Sequence, residues 1–158
     1  MNSPIRTEGV LIIGYGNRLR GDDGAGYIAA RQLAGFGFDT IETEQLTPEI
    51  AERIAAARVI FFIDADATLP EGEIAIRQIA GAPSAPVSPM EHHATPDGIL
   101  RLASVAFSAT PEAWSVGIGC RCFDFVEELS QPAQRAVACA VAEILKHTRE
   151  AASTAVVP

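Results

Sequence analysis

Long apolar runs, basic residues and cysteines are all scarce in this sequence of 158 residues. No run approaches the roughly 20 apolar residues of a membrane span. None precedes the first strand-like segment either, so we expect no secretory signal, no membrane insertion and a cytoplasmic location. The 12 basic residues are outnumbered by 20 acidic ones. The resulting net charge of −8 argues against nucleic acid as a partner, because binding to phosphates depends on Lys and Arg.

The three cysteines, Cys120, Cys122 and Cys139, are too few for a disulfide scaffold and suit a reducing compartment. Cys120 and Cys122 are spaced too closely for a typical structural zinc site, and no second pair accompanies them. We therefore expect ordinary thiols near the end of a strand, with a redox or metal role as the alternative.

Two common hydrolase signatures are also missing. Neither Ser88 nor Ser115 lies in the Gly-x-Ser-x-Gly turn that exposes a catalytic serine. The His-Glu-x-x-His helix of many zinc peptidases is absent as well, since His92 and His93 are adjacent and do not lie one helical turn apart.

Apolar residues, in contrast, make up 48% of the chain, which excludes an intrinsically disordered protein. The length fits one compact domain with a real core. We predict a single α/β domain over residues 1–148, followed by a flexible tail over residues 149–158.

Apolar runs predict the strands of a sheet. Continuous runs at residues 10–13, 58–63 and 114–118 are typical of parallel strands that are covered on both faces. Residues 38–44 and 73–79 predict two more strands. The connection before the second of these is shorter than the dozen or more residues of a parallel crossover. That strand should therefore run antiparallel to its predecessor if the two pair, and lie near an edge.

Apolar residues at helical spacing predict helices at residues 99–107 and 137–145. Thr47 and Thr95 each place a capping hydroxyl before a proline, which predicts two helix starts. The alternation of strands and helices indicates a doubly wound fold. We therefore predict a three-layer α/β/α sandwich around a mostly parallel, twisted sheet of about five strands, with one antiparallel strand near an edge.

A glycine-rich segment, GYGNRLRGDDGAG at residues 14–26, connects the first strand to the first helix. A dinucleotide-binding loop would need glycine where Leu19 stands, and two acids at the helix start would repel a pyrophosphate. Nucleotide binding is therefore a weak alternative. Asp22 and Asp23 either cap the following helix or supply carboxylates to a functional site.

Asp64 and His92 are the other candidate site residues. Asp64 follows a buried run, where a carboxylate must be solvated, paired or liganded, and turn capping is the alternative. Asp66 lies further into the connection and suits a ligand role less. Because the crevice of a doubly wound sheet lies beyond the carboxyl ends of its strands, we expect Asp23, Asp64 and His92 to meet there. Two carboxylates and an imidazole suit zinc or a nickel-type ion with open positions.

These motifs resemble those of the hydrogenase maturation proteases. Three segments match in the expected order: GNRLRGDDGAG at residues 16–26, Ile63-Asp64-Ala65 at a strand end, and His92-His93-x-Thr95-Pro96 before an apolar helix. QLTPE at residues 45–49 is similar to a variant seen in the family. The match spans residues 10 to about 145. The late Gly-Leu-Ser/Thr segment of the family reads Glu128-Leu129-Ser130 here, without the glycine.

The resemblance implies an α/β endopeptidase that removes the C-terminal extension from the large-subunit precursor of a [NiFe] hydrogenase after nickel has been installed. It also implies that Asp23, Asp64 and His92 are the catalytic and metal-contacting residues, with nickel supplied by the precursor rather than permanently bound. His92 is preferred to His93 because it is the first histidine of the motif. A non-catalytic chaperone that binds the nickel site of the precursor is the alternative function.

Overall fold

Strands and helices alternate along the described part of the chain, which comprises residues 5–80 and 95–154 of a computed structural model. The strands are β1 (Val10–Tyr15), β2 (Asp39–Thr43), β3 (Val59–Asp66), β4 (Ile74–Ile79) and β5 (Glu112–Gly119). The helices are α1 (Ala25–Ala34), α2 (Ile50–Ala56), α3 (Pro96–Phe107) and α4 (Gln131–Thr154), and a short 3₁₀ turn (Gly21–Gly24) precedes α1. Residues 81–94, which include His92 and His93, lie outside the described residues.

The five strands form one sheet in the order β2-β1-β3-β5-β4. The β1–β2, β1–β3 and β3–β5 pairs are parallel, whereas β4 is antiparallel to β5 at the edge. The predicted fold class and the predicted antiparallel edge strand are both confirmed. The partner of β4 is β5 rather than its predecessor β3, because the chain returns through α3 and inserts β5 between the two.

Both faces of the sheet are covered, which explains the continuous apolar runs. On one face Ile12 and Phe61 pack against the small residues of α1 and α4. On the other face Leu11 and Phe62 pack against α2 and α3. Each such fully buried side chain contributes about 1.5–3 kcal/mol to the stability of the fold. The predicted three layers are therefore present.

Only one of the two predicted helix starts is correct. The Thr95 hydroxyl accepts a hydrogen bond from the Gly98 amide at 3.2 Å, so Thr95 caps α3 as expected. Helix α2 instead begins at Ile50, two residues after the predicted start, and no side chain caps it. A turn intervenes in which the Thr47 carbonyl accepts from the Ile50 amide, while the Thr47 hydroxyl bonds the Glu49 carboxylate and holds the pKa of Glu49 below its usual value.

We expect the substitution Thr95→Ala to lower the free energy of unfolding by about 1 kcal/mol, because an amide of α3 loses its capping acceptor. Thr47→Ala is the matched control, since its hydroxyl caps no helix, and should change the stability by less than about 0.5 kcal/mol. Urea denaturation of the two variants checks this. Equal losses in both would contradict the assignment of Thr95 as the cap.

The C-terminal helix α4 extends to Thr154, so it does not end at the predicted boundary between residues 148 and 149. The predicted flexibility of residues 149–158 stays a prediction. Within the described ranges, no helix is long and apolar enough to cross a membrane.

Candidate active site at the carboxyl ends of β1 and β3

The topology creates a crevice where β1 and β3 end. From β1 the chain passes through α1 to β2 on one side, and from β2 it passes through α2 to β3 on the other side of β1. Ligands of open α/β sheets bind where the chain reverses direction in this way. Gly14 of β1 is in register with Ile63 of β3, so Asp64 lies at the level where β1 ends and the segment that carries Asp23 begins.

Two glycines allow the segment after β1 to approach β3 closely. A Cβ on Gly26 would lie 2.2 Å from the carbonyl oxygen of Ile63, so the first turn of α1 sits directly on the residue before Asp64. Gly16 has φ +135°, and a Cβ there would lie 1.9 Å from the carbonyl oxygen of Asp23. The glycines of the motif therefore serve to bring the two carboxylates together rather than to hold a phosphate.

Asp23 is half-buried in the 3₁₀ turn. Its Oδ2 accepts a hydrogen bond from the Asn17 amide at 2.9 Å, which folds the turn back on itself. It does not cap α1, whose N-cap residue is Gly24 and has no side-chain capping bond. The helix-capping alternative for this residue is therefore wrong.

Asp22 has a different, structural role. Its carboxylate is fully buried and accepts from the Ser130 amide at 2.8 Å, the Ser130 hydroxyl at 2.9 Å and the Cys122 amide at 3.3 Å. The same Ser130 hydroxyl accepts from the Ala133 amide at the start of α4. Asp22 thus attaches the 3₁₀ turn that carries Asp23 to a loop more than 100 residues away in sequence. The sequence reasoning missed this pairing. The serine of the late Glu128-Leu129-Ser130 segment was its only signal.

Asp64 is the carboxyl group with the most unusual electrostatics in the crevice. Burial, together with a smaller effect of the negative charge of Asp23, raises the pKa of Asp64 to about 7, against the opposing effects of the Ala65 amide and the Tyr15 hydroxyl. A carboxyl group that titrates near neutral pH is suited to proton transfer or to metal contact. The residue that caps the following turn is Asp66, whose carboxylate accepts hydrogen bonds from the Thr68 amide at 2.8 Å and the Thr68 hydroxyl at 2.6 Å.

Tyr15 is a second residue that sequence reasoning missed. It ends β1, and burial together with the charge of Asp64 raises the pKa of its phenol, which therefore stays protonated and able to donate. The charge of Asp97 in the first turn of α3 acts on the same phenol. The start of α3 therefore lies near the crevice. An aromatic residue at the end of the first strand was the only hint in the sequence.

Cys120 directly follows β5, as expected for a thiol near a strand end. It is fully buried, and its sulfur donates to the Asp22 carbonyl oxygen at 3.6 Å. Burial and the neighbouring charges of Asp22 and Asp64 raise the pKa of the Cys120 thiol to about 12. A thiol that stays protonated in this way is neither a nucleophile nor a thiolate ligand.

The structure describes two of the three predicted site residues and brings both to the same crevice. His92 lies outside the described residues, so its position in the site stays a prediction. Within residues 5–80 and 95–154, no group of three or more His, Cys, Asp or Glu side chains is arranged to hold a metal ion. Asp23 and Asp64 offer hard oxygen donors, to which an imidazole would add a nitrogen.

Comparison with known proteins gives structural rather than sequence matches. No protein-family model matches the chain, and no curated protein matches its sequence. The [NiFe] hydrogenase maturation protease HybD from Thermococcus kodakarensis is similar, with a TM-score of 0.71 and 28% identity over 88% of this chain and 98% of that one.

Two further solved structures share the fold. The hydrogenase maturating endopeptidase HybD from E. coli has a TM-score of 0.73 and 17% identity over 90% of this chain and 93% of that one. The protease HycI from Thermococcus kodakarensis has a TM-score of 0.63 and 24% identity over 87% and 92%. The near-complete coverage, the TM-scores and the strand order show that the chain has the fold of these hydrogenase maturation proteases, and its 28% identity to the first of them supports the resemblance of its motifs to that family.

Proposed function

We propose that this protein is an endopeptidase that removes the C-terminal extension of a [NiFe] hydrogenase large-subunit precursor. The observation that carries the proposal is Asp64, a half-buried carboxyl group that titrates near pH 7 beside Asp23, in the crevice where a doubly wound sheet binds its ligands. The similar protein from Thermococcus kodakarensis, named a [NiFe] hydrogenase maturation protease, supports the substrate class.

Nickel enters this scheme as part of the substrate. We propose that Asp23, Asp64 and His92 complete the coordination of nickel that the precursor already holds, which places the scissile peptide at the crevice. His92 precedes α3, and the effect of Asp97 on Tyr15 supports a location of that helix start near the carboxylates. A divalent ion in this position polarises the peptide carbonyl or acidifies the attacking water. Water then adds to the carbonyl carbon, and the peptide C–N bond breaks as a proton of that water passes to the leaving amine.

The proposal predicts that cleavage requires nickel in the precursor. Purified protein is incubated with the nickel-loaded and with the nickel-free precursor, and the intact mass of the precursor is followed by mass spectrometry. We expect the C-terminal extension to be lost only from the nickel-loaded form, because nickel is what the site residues contact.

Binding without any change of mass would support the non-catalytic chaperone instead. Equal cleavage of both forms of the precursor would show that nickel has no part in recognition. A precursor that is stripped of nickel and then reloaded is the control, because it separates the loss of the metal from damage to the protein.

A further inference from the structure

An exposed apolar ridge borders the candidate active site. Phe125 is 87% exposed, and Leu19 and Val126 are 54% and 47% exposed. In the part of the chain that the structure describes, these three are half of the large exposed apolar side chains; the others follow α1 or lie on α3. Phe125 and Val126 are neighbours in sequence, and the hydrogen bond from the Gly21 amide to the Val126 carbonyl places the turn that carries Leu19 beside their loop. Clustered exposed apolar side chains mark binding sites, whereas isolated ones do not.

The loop that presents Phe125 is held in place by its backbone. The Gly21 amide donates to the Val126 carbonyl at 2.7 Å, and the Asp22 amide donates to the Cys122 carbonyl at 2.8 Å. The guanidinium of Arg20 lies over the Phe125 ring, 6.0 Å from its centre. Phe125 is therefore held outward by the anchored backbone. Such an anchored surface loses little conformational entropy when a partner binds.

A recess lies beside the ridge. Its volume is about 130 Å³, and it is lined by Arg18, Leu19, Gly24, Ile28, Glu127 and Leu129. Sites for whole small molecules have volumes of about 300–1,000 Å³, so this recess suits one side chain rather than a cofactor. Its apolar lining fits an apolar side chain. The opposite charges of Arg18 and Glu127 offer a donor and an acceptor to a polypeptide backbone.

The ridge and the recess are continuous with the crevice. Gly24 lines the recess and directly follows Asp23, and Leu19 belongs to the turn that the Asn17–Asp23 hydrogen bond closes. A polypeptide whose peptide bond reaches Asp64 must leave the crevice over one of its rims, and among the described residues this rim offers exposed apolar surface. The position thus favours a segment of the protein substrate over a lipid or a second copy of this chain.

We propose that the ridge and the recess dock the hydrogenase precursor through an apolar anchor side chain near the scissile peptide. This inference rests on the proposed function for the identity of the partner. The anchor side chain enters the recess beside Leu19 and Leu129, and Phe125, on the same loop as Glu127, contacts an adjoining part of the precursor. Anchors of this kind carry most of the binding energy of protein interfaces, so single truncations on the ridge have large effects.

The test uses Phe125→Ser and Leu19→Ser, with Phe36→Ser as the matched control. Phe36 is also an exposed phenylalanine, 49% accessible, but it follows the far end of α1. Binding of the nickel-loaded precursor is measured by biolayer interferometry, and cleavage is measured by mass spectrometry. We expect both ridge variants to raise Kd and KM about tenfold or more with kcat unchanged, while the control behaves as the unaltered protein. Circular dichroism confirms that all three variants fold.

The two readouts separate this inference from the proposed function. If the unaltered protein binds the precursor through Phe125 without cleaving it, the docking surface stands and the endopeptidase assignment fails. If the protein cleaves the precursor with the same KM in Phe125→Ser and Phe36→Ser, the endopeptidase stands and the docking surface is wrong. A concentration-dependent dimer that Phe125→Ser abolishes, with precursor binding unchanged, also overturns the docking proposal.

Discussion

Asp64→Asn is expected to lower kcat/KM for the nickel-loaded precursor by about 10²–10⁴-fold. Asparagine keeps the shape of the side chain but has no negative charge and no titrating proton near pH 7. Single-turnover cleavage measured on purified protein checks this. Asp66→Asn is the matched control two residues further along β3, because the Asp66 carboxylate serves the turn at Thr68 and is expected to leave cleavage unchanged.

The same substitution should stabilise the protein above neutral pH. The pKa of Asp64 lies at about 7 in the folded state and near 3.8 in the unfolded chain, so between these values the folded protein binds more protons. Stability of the unaltered protein therefore falls as pH rises through this window. The asparagine amide of the variant does not ionise, so we expect the variant to be more stable at pH 8 by about 2 kcal/mol after allowance for solvent screening.

Urea denaturation at pH 8 and at pH 4 measures this difference, which should be several-fold smaller at the lower pH, because Asp64 is then protonated in the folded protein and already partly protonated in the unfolded chain. A variant that is less stable at pH 8 would show that the Asp64 carboxylate holds the fold together. A gain in stability together with a loss of cleavage is the signature of a group kept for function.

Asp22→Ala is expected to have the largest effect on stability, a loss of about 3–5 kcal/mol. It removes the carboxylate that accepts three hydrogen bonds. The backbone amides of Cys122 and Ser130 then have no Asp22 acceptor at a buried position. The 3₁₀ turn that carries Asp23 also loses its attachment to the loop before α4, so cleavage should fall as well. Thermal and urea denaturation measure the first effect.

Ser130→Ala tests the same connection more gently. It removes the hydroxyl, which donates to Asp22 and accepts from the Ala133 amide, but keeps the bond from the Ser130 amide, so about 1–2 kcal/mol is expected. The double variant should lose less than the sum of the two single losses, because both act on one hydrogen-bond network. Asp124→Ala, at an exposed acid of the same loop, is the control and should stay within about 0.5 kcal/mol. Additive losses would contradict the assigned pairing.

The layers of this fold were predictable because strands that are buried on both faces have continuous apolar runs in their sequence. The apolar runs at residues 10–13 and 58–63 need no knowledge of their partners, and both became central strands. The Thr-Pro pattern was less informative, since the turn between Thr47 and Ile50 satisfies the same local preference as a helix start. The strand that pairs with β4 depends on the path of α3, which no local pattern shows.

The different roles of Asp22 and Asp23 could not be predicted from the sequence, for a physical reason. The two acids are neighbours of the same type, and what separates them is a bond from Ser130, 108 residues away from Asp22. The perturbed pKa of Asp64 likewise depends on burial and on Asp23, neither of which follows from the residues around it. The crevice itself was predictable, because the carboxyl-end rule needs only the order of strands and helices.

The most direct test of the proposed site is a cleavage assay on four variants with the nickel-loaded precursor: Asp23→Asn, Asp64→Asn, His92→Ala and His93→Ala. The site predicts that the first three stay folded but leave the C-terminal extension in place, whereas His93→Ala removes it at the rate of the unaltered protein. Removal of the extension at the unaltered rate by Asp23→Asn, Asp64→Asn and His92→Ala would contradict the assignment.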